Sequence, residues 1–268
     1  MEIVKMDKSF NGISKKFATR IYGGLKGKIR LAVIWRDLTS SFPIHAGDKS
    51  LRILDIGSGL GQHAMRMAKL GHEVVCNDTS AEMLAMAKKL AADFKVADHI
   101  EWHCCPYQHL KDKINGDFDL VFCHALIEWL ARPEDLIPDL TNFINPKGSI
   151  SLSYYNKYAL EYRNLLRGNF RIIEKPSLAD EVSLTPRNPM TLPVIDNWLD
   201  KSDLKIRSSS GIRVFYDYAN NQKGGLANDE SVIEMELKYS NREPYKWLGR
   251  YVHLICEPNH GIQDSTRE

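Results

Sequence analysis

The stretch that decides the fold runs from Leu51 to Ser80 and reads L-R-I-L-D-I-G-S-G-L-G-Q-H-A-M-R-M-A-K-L-G-H-E-V-V-C-N-D-T-S. It divides into an apolar strand, a glycine turn over 57–61, an amphipathic helix and a second apolar strand that ends at Asp78. Glycines at the first turn of a βαβ unit, with an acid about twenty residues later, are typical of a nucleoside-cofactor site. Glycine lets the backbone approach a ligand closely, and the Asp78 carboxylate has acceptors for both ribose hydroxyls.

The spacing of the glycines separates two classes of ligand. Dinucleotide sites use G-x-G-x-x-G/A, whereas this turn is G-x-G-x-G and follows Leu54-Asp55. The run L-D-I-G-S-G-L-G resembles the first motif of class I S-adenosylmethionine-dependent methyltransferases, and N-D-T-S at 77–80 resembles their ribose-binding strand end. A glycine turn without a ligand is the alternative, but strand, glycines and acid agree on a site.

Composition sets the outer limits. With 268 residues, of which 43% are hydrophobic and 26% charged, the chain is globular, and we expect a single domain over 1–268. No apolar run reaches membrane-spanning length, and the N-terminus has no signal-peptide centre, so we expect no membrane partner and a cytoplasmic protein. The five cysteines form no C-x-x-C pair, which favours buried thiols in a reducing compartment and no metal site.

Charge is distributed unevenly along the chain. The net charge is +2, but residues 1–40 hold nine Lys/Arg against three acids, a balance of +6. A basic patch for a phosphate backbone and a solvated helix face both fit this pattern. The basic residues in question are Lys15, Lys16, Arg20, Lys26, Lys28, Arg30 and Arg36.

Apolar periodicity predicts an α/β fold. Helices over 10–40, broken at Tyr22-Gly23-Gly24, are expected to form an N-terminal lid, and the proline-rich segment 170–193 reads as a loop insertion. Strands then alternate with helices, which predicts a mostly parallel sheet with helices on both faces, closed by an antiparallel pair of strands. We expect strands at 51–56, 73–77, 100–104, 118–123, 148–155, 205–217 and 246–257, and helices at 61–70, 80–94, 133–144, 157–168, 191–201 and 228–240.

Ligands of such sheets bind beyond the carboxyl ends of the strands. For S-adenosylmethionine, Asp78 would take the ribose, and Tyr107 with Gln108 the adenine edge, although an acid is more usual there. His124, after the fourth strand, would meet the methionine part, and Arg30 on the lid would hold its carboxylate. A surface loop at 107–108, a core histidine and a solvent-facing arginine are the alternatives. The residues at strand ends are Gly57, Ser58, Gly59, Asp78, Tyr107, Gln108, His124 and Tyr155.

Two C-terminal runs combine arginine with aromatic residues. They are S-G-I-R-V-F-Y-D-Y at 210–218 and E-P-Y-K-W-L-G-R-Y-V-H at 243–253. This composition suits a flat base or an anionic group. It equally suits an ordinary antiparallel sheet, in which tyrosine and valine are favoured, so the pattern alone leaves both open.

Over about Phe10 to Pro258 the chain resembles the tRNA 5-carboxymethoxyuridine methyltransferases. The matching runs are K-F-A-T-R-I-Y-G-G-L-K-G-K-I-R, L-D-I-G-S-G-L-G-Q, F-C-H-A-L-I-E-W, S-Y-Y-N, G-N-F, G-I-R-V-F-Y-D-Y and E-P-Y-K-W-L-G-R-Y-V-H. The glycine motif is general to the superfamily, and the terminal runs are far more specific. The middle of that motif holds a serine where a glycine also occurs in the family, and 170–193 matches poorly.

The resemblance implies an enzyme that methylates the carboxylate of 5-carboxymethoxyuridine at the wobble position in the tRNA anticodon stem-loop. It also implies cofactor contacts at Arg30, Gly57, Ser58, Asp78, Tyr107, Gln108 and His124. A small-molecule carboxyl or quinone-ring methyltransferase and a non-catalytic binding protein of the same fold remain alternatives. The oligomeric state cannot be read from the sequence.

A carboxylate is already a nucleophile at neutral pH and needs no general base, so we name no catalytic residue. Alignment of the two reactants would supply much of the acceleration. What the reaction needs is a clamp for the carboxylate and a surface for the uracil. The candidates are Tyr155, Arg213, Tyr216 and Arg250.

Overall fold

The structure, a computed structural model, describes residues 7, 12, 23–174, 186, 188–219 and 228–259. The strands are β1 (Arg52–Ile56), β2 (Glu73–Asp78), β3 (Ile100–Cys104), β4 (Phe118–His124), β5 (Ile144–Tyr155), β6 (Leu204–Ile212) and β7 (Tyr251–Pro258). The helices are α1 (Leu25–Ser41), α2 (Gln62–Lys69), α3 (Ala81–Asp93), α4 (Leu136–Thr141), α5 (Lys157–Leu166), α6 (Phe170–Glu174), α7 (Leu192–Lys201) and α8 (Asp229–Tyr239).

The strands form one seven-stranded sheet in the order β3-β2-β1-β4-β5-β7-β6. Strands β1 to β5 pair in parallel, and β7 runs antiparallel to both β5 and β6. The sequence prediction of a mostly parallel α/β sheet closed by an antiparallel pair is confirmed. This is the sheet of class I methyltransferases.

Strand order places the site. The chain moves outward from β1 through β2 to β3 and then returns to β4 on the other side of β1. The loops after β1 and β4 therefore leave the sheet in opposite directions, and a crevice opens between the carboxyl ends of these two strands. Ile53, Leu54 and Ile56 of β1 are fully buried, as expected of a central strand covered on both faces.

Helices cover both faces of the sheet. One apolar cluster lies beneath α4 and α7, and a second lies beneath α1, α2 and α8. Helix α1 buries Ile29, Val33 and Leu38 completely and packs beside α8. The described part of the predicted N-terminal lid is therefore a well-anchored helix. Its predicted partner helix over 10–22 falls outside the described residues, except for Gly12.

Several predicted boundaries were wrong. The 133–144 segment has a 3₁₀ turn at Pro133–Asp135 before α4, and β5 begins at Ile144, which pairs with Phe118 across a register shift. Strand β6 ends at Ile212 because Arg213 adopts a left-handed backbone with φ of 62°. The run before β7 forms a 3₁₀ turn at Tyr245–Leu248 instead of continuing the strand.

The segment 170–193 is not a simple loop. Its first residues form α6, and its last two belong to the first turn of α7, where Pro193 suits a helix start. Met190 pairs with Asn156 at the end of β5. The residues between, 175–185 and 187, lie outside the described part of the chain.

Candidate active site

The glycine turn after β1 and the carboxylate of Asp78 are built as one unit. Gly57 and Gly59 adopt positive φ values of 67° and 56°, and a Cβ on Gly57 would press on the Leu126 side chain at 3.2 Å. Asp78 Oδ2 accepts the N–H of Gly59 at 2.9 Å, and Oδ1 accepts the N–H of Ser80 at 2.8 Å. Each oxygen keeps further lone-pair sites, so the carboxylate is oriented and still has acceptor capacity.

Asp78 lies on a cavity that we call the Asp78 cavity. Burial raises the pKa of the Asp78 carboxyl, although the N–H groups of Ser80, Gly59 and Thr79 oppose the shift. Apolar surface from Leu126, Trp129 and Leu130 forms one wall of the cavity, as a flat ring would require. The full lining is Asp7, Gly57, Asn77, Asp78, Thr79, Tyr107, Gln108, Leu126, Trp129 and Leu130.

The two residues expected after β3 both reach this cavity. Tyr107 is buried, so its side chain is part of the core, and burial raises the pKa of its hydroxyl. Gln108 is exposed, and its Nε2 donates to Asp7 Oδ2 at 3.0 Å. The other oxygen of Asp7 accepts the N–H of Ala131 at 2.7 Å. No acid follows β3 directly, but Asp7 of the N-terminal segment places a carboxylate at the same cavity. The sequence analysis did not predict this contact.

A second cavity, the Arg30 cavity, lies on the other side of Gly57. Helix α1 contributes Arg30, the arginine that the sequence analysis expected near the strand ends. The turn after β1 contributes Ser58, and the end of β4 contributes His124. The complete lining is Arg30, Leu31, Ile34, Asp55, Gly57, Ser58, Gln62, His63 and His124.

Burial drives the titratable groups of the Arg30 cavity toward their neutral forms. Burial, reinforced by the nearby Asp78, raises the pKa of Asp55 to about 8. Burial, reinforced by the charge of Arg30, lowers the pKa of His63 to about 3. Burial and the neighbouring histidines also hold the pKa of His124 well below its usual range. At neutral pH the cavity therefore combines a charged arginine with neutral imidazoles.

The cavities contain polar atoms that no described residue satisfies. Ser58 Oγ, Gln62 Oε1 and both ring nitrogens of His63 are buried without a hydrogen-bond partner in the described part of the chain. Buried polar groups are rarely left in this state unless a ligand or ordered water completes them. A polar, zwitterionic ligand end suits the Arg30 cavity, and the apolar wall of the Asp78 cavity suits an adenosine. S-adenosylmethionine has both parts.

A separate cluster of arginines and tyrosines lies past the end of β5. Tyr155 is buried, its ring meets that of Tyr251 edge-on at 5.4 Å, and the Arg250 guanidinium lies 4.7 Å from the Tyr155 ring centre. Arg213 lies 5.6 Å from the Tyr251 ring centre. We call these four residues the arginine–tyrosine cluster. Three of the four substrate candidates, Tyr155, Arg213 and Arg250, are thus brought together.

The cluster holds hydrogen-bonding atoms with nothing to bond to. Tyr155 Oη, Arg213 Nε and Arg250 Nη1 are buried and unpartnered among the described residues. The nearest acid, Asp217, lies 3.5 Å from Arg213 Nη2 and 3.8 Å from Arg250 Nε, distances too long for strong hydrogen bonds. Donors therefore remain for an anionic ligand.

Two glycines bring the arginines side by side. The Cα atom of Gly211 lies 2.6 Å from where a Cβ on Gly249 would be, and a Cβ on Gly211 would collide with the Lys246 carbonyl. Asn156 secures the same turn, since its Nδ2 donates to the carbonyls of Trp247 and Gly249 at 2.8 and 2.9 Å. Any larger residue at either glycine would push Arg213 and Arg250 apart.

Tyr216, the fourth substrate candidate, is placed differently. Its N–H donates to Glu236 Oε1 at 2.9 Å, within a loop whose Val214 and Phe215 N–H groups bind the same buried carboxylate. The Tyr216 ring packs against the apolar cluster beneath α1. These contacts give Tyr216 a part in holding the loop after β6, and its role toward the substrate stays a prediction.

The basic residues that the structure describes on α1 have different partners. Lys28 pairs with Asp229 at 2.9 Å, and Arg36 binds Asp37 at 2.6 Å, while Arg30 lines its cavity. Lys26 lies 3.8 Å from Asp217 and is electrostatically coupled to Arg163, Arg213 and Arg250. Three cations, Lys26, Arg213 and Arg250, thus lie within 4 Å of Asp217. Lys15, Lys16 and Arg20 lie outside the described residues.

Sequence reasoning missed several residues of the site. Asp55 and His63 were visible within the first motif, but nothing in a pattern shows that burial makes both neutral. Arg163 lies outside every recognised motif, whereas Glu128 belongs to the run F-C-H-A-L-I-E-W but was given no role. Glu128 is fully buried and coupled to Arg30, and burial raises its pKa to about 8.

No group of three or more His, Cys, Asp or Glu side chains suited to a metal ion occurs in the part of the chain that the structure describes. None of its described helices is both long and apolar enough to cross a membrane.

The chain has relatives among known proteins. Residues 54–152 match the family described as "Methyltransferase domain". The tRNA 5-carboxymethoxyuridine methyltransferase of Escherichia coli K12 is 34% identical over 251 residues, which are 93% of this chain and 96% of that protein. A ubiquinone biosynthesis O-methyltransferase of Neisseria meningitidis is 32% identical, but over only 46% of this chain and 51% of that protein.

Solved structures agree on the fold. Magnesium protoporphyrin IX methyltransferase from Synechocystis PCC 6803, solved with bound S-adenosylhomocysteine, superposes with a TM-score of 0.57. The match covers 92% of this chain and 94% of that protein at 15% identity. At that identity the likeness establishes a shared methyltransferase fold.

Proposed function

This chain belongs to the family of tRNA 5-carboxymethoxyuridine methyltransferases, and we propose that it methylates the carboxylate of 5-carboxymethoxyuridine at the tRNA wobble position. The methyl donor is S-adenosylmethionine, and the product is the methyl ester. The E. coli relative that carries this name matches almost the full length of both chains. The match therefore includes the C-terminal runs that build the arginine–tyrosine cluster, beyond the methyltransferase core at 54–152.

One observation carries the proposal: buried donors without partners lie next to the cofactor-type cavities. His124, which lines the Arg30 cavity, pairs with Ser153 of β5, and Tyr155 follows two residues later on the same strand. Tyr155 in turn opposes Tyr251 of β7, directly after Arg250. A carboxylate held by these donors would lie beside the bound methyl donor.

The cofactor residues divide by chemistry. Asp78 would accept the ribose hydroxyls, with Tyr107 backbone and Gln108 at the adenine edge. Arg30 would hold the α-carboxylate, and His124 would face the methionine part. Gly57 and Ser58 border both parts, and Gly59 orients Asp78 through its N–H. The cofactor supplies an electrophilic methyl group on a sulfonium centre.

The residues around the acceptor need to orient it, since a carboxylate is ionised and nucleophilic at neutral pH. Arg213, Arg250 and the Tyr155 hydroxyl can hold its oxygens and point one of them at the methyl group. Held alignment supplies a large part of the barrier reduction for such a two-reactant displacement. Asp217 shares the positive charge of both arginines, which keeps them from withdrawing too much electron density from the nucleophile.

Charge also separates substrate from product. The substrate carboxylate complements the excess of cations over Asp217 in the cluster, whereas the methyl ester is neutral. Charge-assisted hydrogen bonds are about twice as strong as neutral ones. The arginines therefore hold the acid more strongly than the ester, which favours release of the product.

The macromolecular part of the substrate is argued from the surrounding charge. Lys26, about half exposed, and Arg163 add positive charge at the mouth of the cluster, where a phosphate backbone would approach. Bases in an anticodon loop can be turned out of the stack and read individually. We therefore assign the anticodon stem-loop as the bound region, which implies action in the cytoplasm.

The experiment uses two tRNA preparations that differ only at the wobble base. One carries 5-carboxymethoxyuridine and the other unmodified uridine, and each is incubated with the protein and radiolabelled S-adenosylmethionine. We expect label in the first tRNA only, because uridine lacks the carboxylate. Equal labelling of both, or of neither, would contradict the proposal. A free carboxylic acid of the same nucleoside serves as the control for dependence on the tRNA.

The quinone-ring alternative is not favoured. The Neisseria meningitidis relative covers 46% of this chain, and another ubiquinone biosynthesis O-methyltransferase covers 69% at 26% identity, against 93% at 34% for the E. coli tRNA enzyme. Methylation of a phenol requires removal of a proton, and Asp217, the carboxylate in the cluster past β5, lies within 4 Å of both arginines, which favours its ionised form but weakens it as a base. The same labelling experiment with a small carboxylic acid or a catechol in place of tRNA separates these cases.

A further inference from the structure

A continuous chain of buried hydrogen bonds leads from α1 to the Arg30 cavity. His253 Nδ1 lies 2.7 Å from Asp37 Oδ2, and His253 Nε2 lies 2.8 Å from Ser151 Oγ. Ser151 Oγ then lies 2.9 Å from His124 Nε2. The four residues come from α1, β7, β5 and the end of β4, and the first three have an exposed fraction of 9% or less. None of the first three touches the cavity.

From these contacts we propose that Asp37, His253 and Ser151 act as positioning residues that fix which ring nitrogen of His124 carries the proton. In the proposed state the proton is on Nε2, so Nδ1 offers an acceptor lone pair. The ligand group that this lone pair suits is an N–H donor at the methionine end of S-adenosylmethionine, its α-ammonium group. The inference rests on the proposed cofactor, and it adds residues to which no role in binding has been assigned.

Asp37 sets the direction of the chain. Although burial opposes its ionisation, the hydrogen bond from His253 and the charge of Arg36 lower the pKa of the Asp37 carboxyl. An ionised carboxylate only accepts, so His253 Nδ1 must donate to it. Arg36 donates to the same carboxylate through Nε and Nη2 at 3.0 and 2.6 Å. In the proposed state Arg36 balances the charge of the Asp37 carboxylate, and His253 is uncharged.

The proton positions on Ser151 and His124 follow from the donation of His253 Nδ1 to Asp37. A neutral His253 with its proton on Nδ1 presents a lone pair at Nε2, so the single hydroxyl proton of Ser151 is donated there. Ser151 Oγ can then only accept from His124, which requires a proton on His124 Nε2. Burial keeps His124 neutral at physiological pH, so its Nδ1 is unprotonated. Tautomers of buried histidines are set by such partners.

The ring of His124 is also held in place. It stacks on Phe122 with centres 5.4 Å apart and an interplanar angle of 23°, and it meets His63 and His253 edge-on at 5.5 and 5.6 Å. Among the described residues nothing bonds to its Nδ1. A ring that is fixed in orientation and tautomer binds a donor without first losing freedom, which is the benefit of preorganisation.

The test combines nuclear magnetic resonance with calorimetry. Long-range ¹H–¹⁵N correlation spectra of the free wild-type protein distinguish protonated from unprotonated ring nitrogens. We expect His124 to have a protonated Nε2 and an unprotonated Nδ1, and His253 the reverse. The opposite pattern at His124 overturns the proposal, and this result needs neither a ligand nor a variant.

Three variants give the binding consequence. Ser151→Ala removes the link, and we expect a mixture of His124 tautomers and about five- to tenfold weaker binding of S-adenosylhomocysteine, the loss of about one hydrogen bond. Ser151→Thr keeps a hydroxyl and should restore the tautomer. Ser149→Ala, at a buried site two residues earlier on β5, is the control and should change neither.

The outcomes separate the two proposals. Unchanged tautomer and affinity in Ser151→Ala overturn the positioning role while leaving cofactor binding intact. A wild-type protein that binds no S-adenosylhomocysteine at all contradicts the cofactor assignment, and the tautomer spectrum then still decides the positioning role by itself.

Discussion

The two halves of the active site are built in opposite ways. The centre of the proposed cofactor half is local in sequence: the turn at 57–61 and Asp78 belong to one βαβ unit, and backbone N–H groups orient the Asp78 carboxylate. Arg30 and His124 join it from α1 and β4. The substrate half is assembled from distant segments, because Tyr155, Arg213 and Arg250 meet only when β5, β6 and β7 pair. A local motif can be recognised in the sequence, whereas a cluster of residues from distant segments is recognised only in the folded structure.

Their electrostatics differ as well. In the cofactor half, burial makes Asp55, His63 and His124 neutral near pH 7. The proposed substrate half is built from charged groups, with Lys26, Arg213 and Arg250 within 4 Å of Asp217. The difference matches the ligands: a zwitterion that brings its own charges in one half, and an anion that needs cations in the other. Changes in each half should therefore have separable effects.

The largest separation is expected from Arg250→Ala. Removing one partner of a buried charge contact costs about 2–5 kcal/mol, so we expect kcat/KM for tRNA methylation to fall about 100-fold or more. Affinity for S-adenosylhomocysteine, measured by calorimetry, should stay within about twofold of the wild-type value. Substitutions at separate sites usually influence one another by no more than this. Arg207→Ala, at a half-exposed arginine of β6 that pairs with Glu257, is the matched control. Loss of cofactor affinity in Arg250→Ala would show that the two halves do not act separately.

Asp78→Ala should give the opposite result. A hydrogen bond to a charged group contributes about 1.5–3 kcal/mol, so cofactor binding should weaken roughly 10- to 100-fold. Binding of tRNA without cofactor, measured by filter retention, should not change. Asp93→Ala, at the exposed end of α3, controls for loss of negative charge. An unchanged cofactor affinity would remove the ribose assignment.

The cofactor half should also respond to pH. With a pKa of about 8 in the free protein, Asp55 is mostly protonated at pH 7, and a cationic ligand favours its ionised form and so lowers that pKa. Binding then releases a proton, and affinity falls as the pH drops below 8. Between pH 8.5 and 6.5 we expect affinity for S-adenosylmethionine to fall by about 20-fold, the value that linkage gives for one such proton.

Asp55→Asn provides the control for this pH dependence. Its amide imitates the protonated carboxyl and cannot ionise, so the slope should disappear. His63 and His124 stay neutral throughout this range and cannot replace it. Calorimetry in buffers of different ionisation enthalpy counts the released proton directly. A flat profile in the wild type would show that Asp55 keeps one protonation state on binding.

The smallest effect is expected from Asp7→Ala. Asp7 binds Gln108 and Ala131 at an exposed edge of the Asp78 cavity, and exposed contacts contribute about 1 kcal/mol or less. Affinity for S-adenosylmethionine should weaken about threefold. Asp48→Ala, which removes another exposed carboxylate that binds a backbone N–H, should have no effect. If both variants bind S-adenosylmethionine equally well, Asp7 binds Gln108 and Ala131 without contributing to cofactor binding.

The contrast also explains what the sequence could predict. The alternation of strands and helices and the placing of Gly57, Asp78 and His124 at strand ends follow from period and motif, since parallel strands end at one edge. The end of β6 at Arg213 could not be predicted, because a left-handed backbone at an arginine is imposed by Glu236, which lies more than twenty residues further on. Tyr216 was grouped with the arginines on proximity in sequence, and that proximity could not show its contacts with Glu236 and with the apolar cluster beneath α1.

The central claim is that a carboxylate in tRNA becomes a methyl ester. The most direct measurement is mass spectrometry of nucleosides from tRNA that carries 5-carboxymethoxyuridine, after incubation with this protein and S-adenosylmethionine. We expect that nucleoside to gain the mass of one methyl group and to lose it again in mild alkali, as an ester does. No gain despite cofactor binding, or a gain that alkali leaves in place, would contradict the claim.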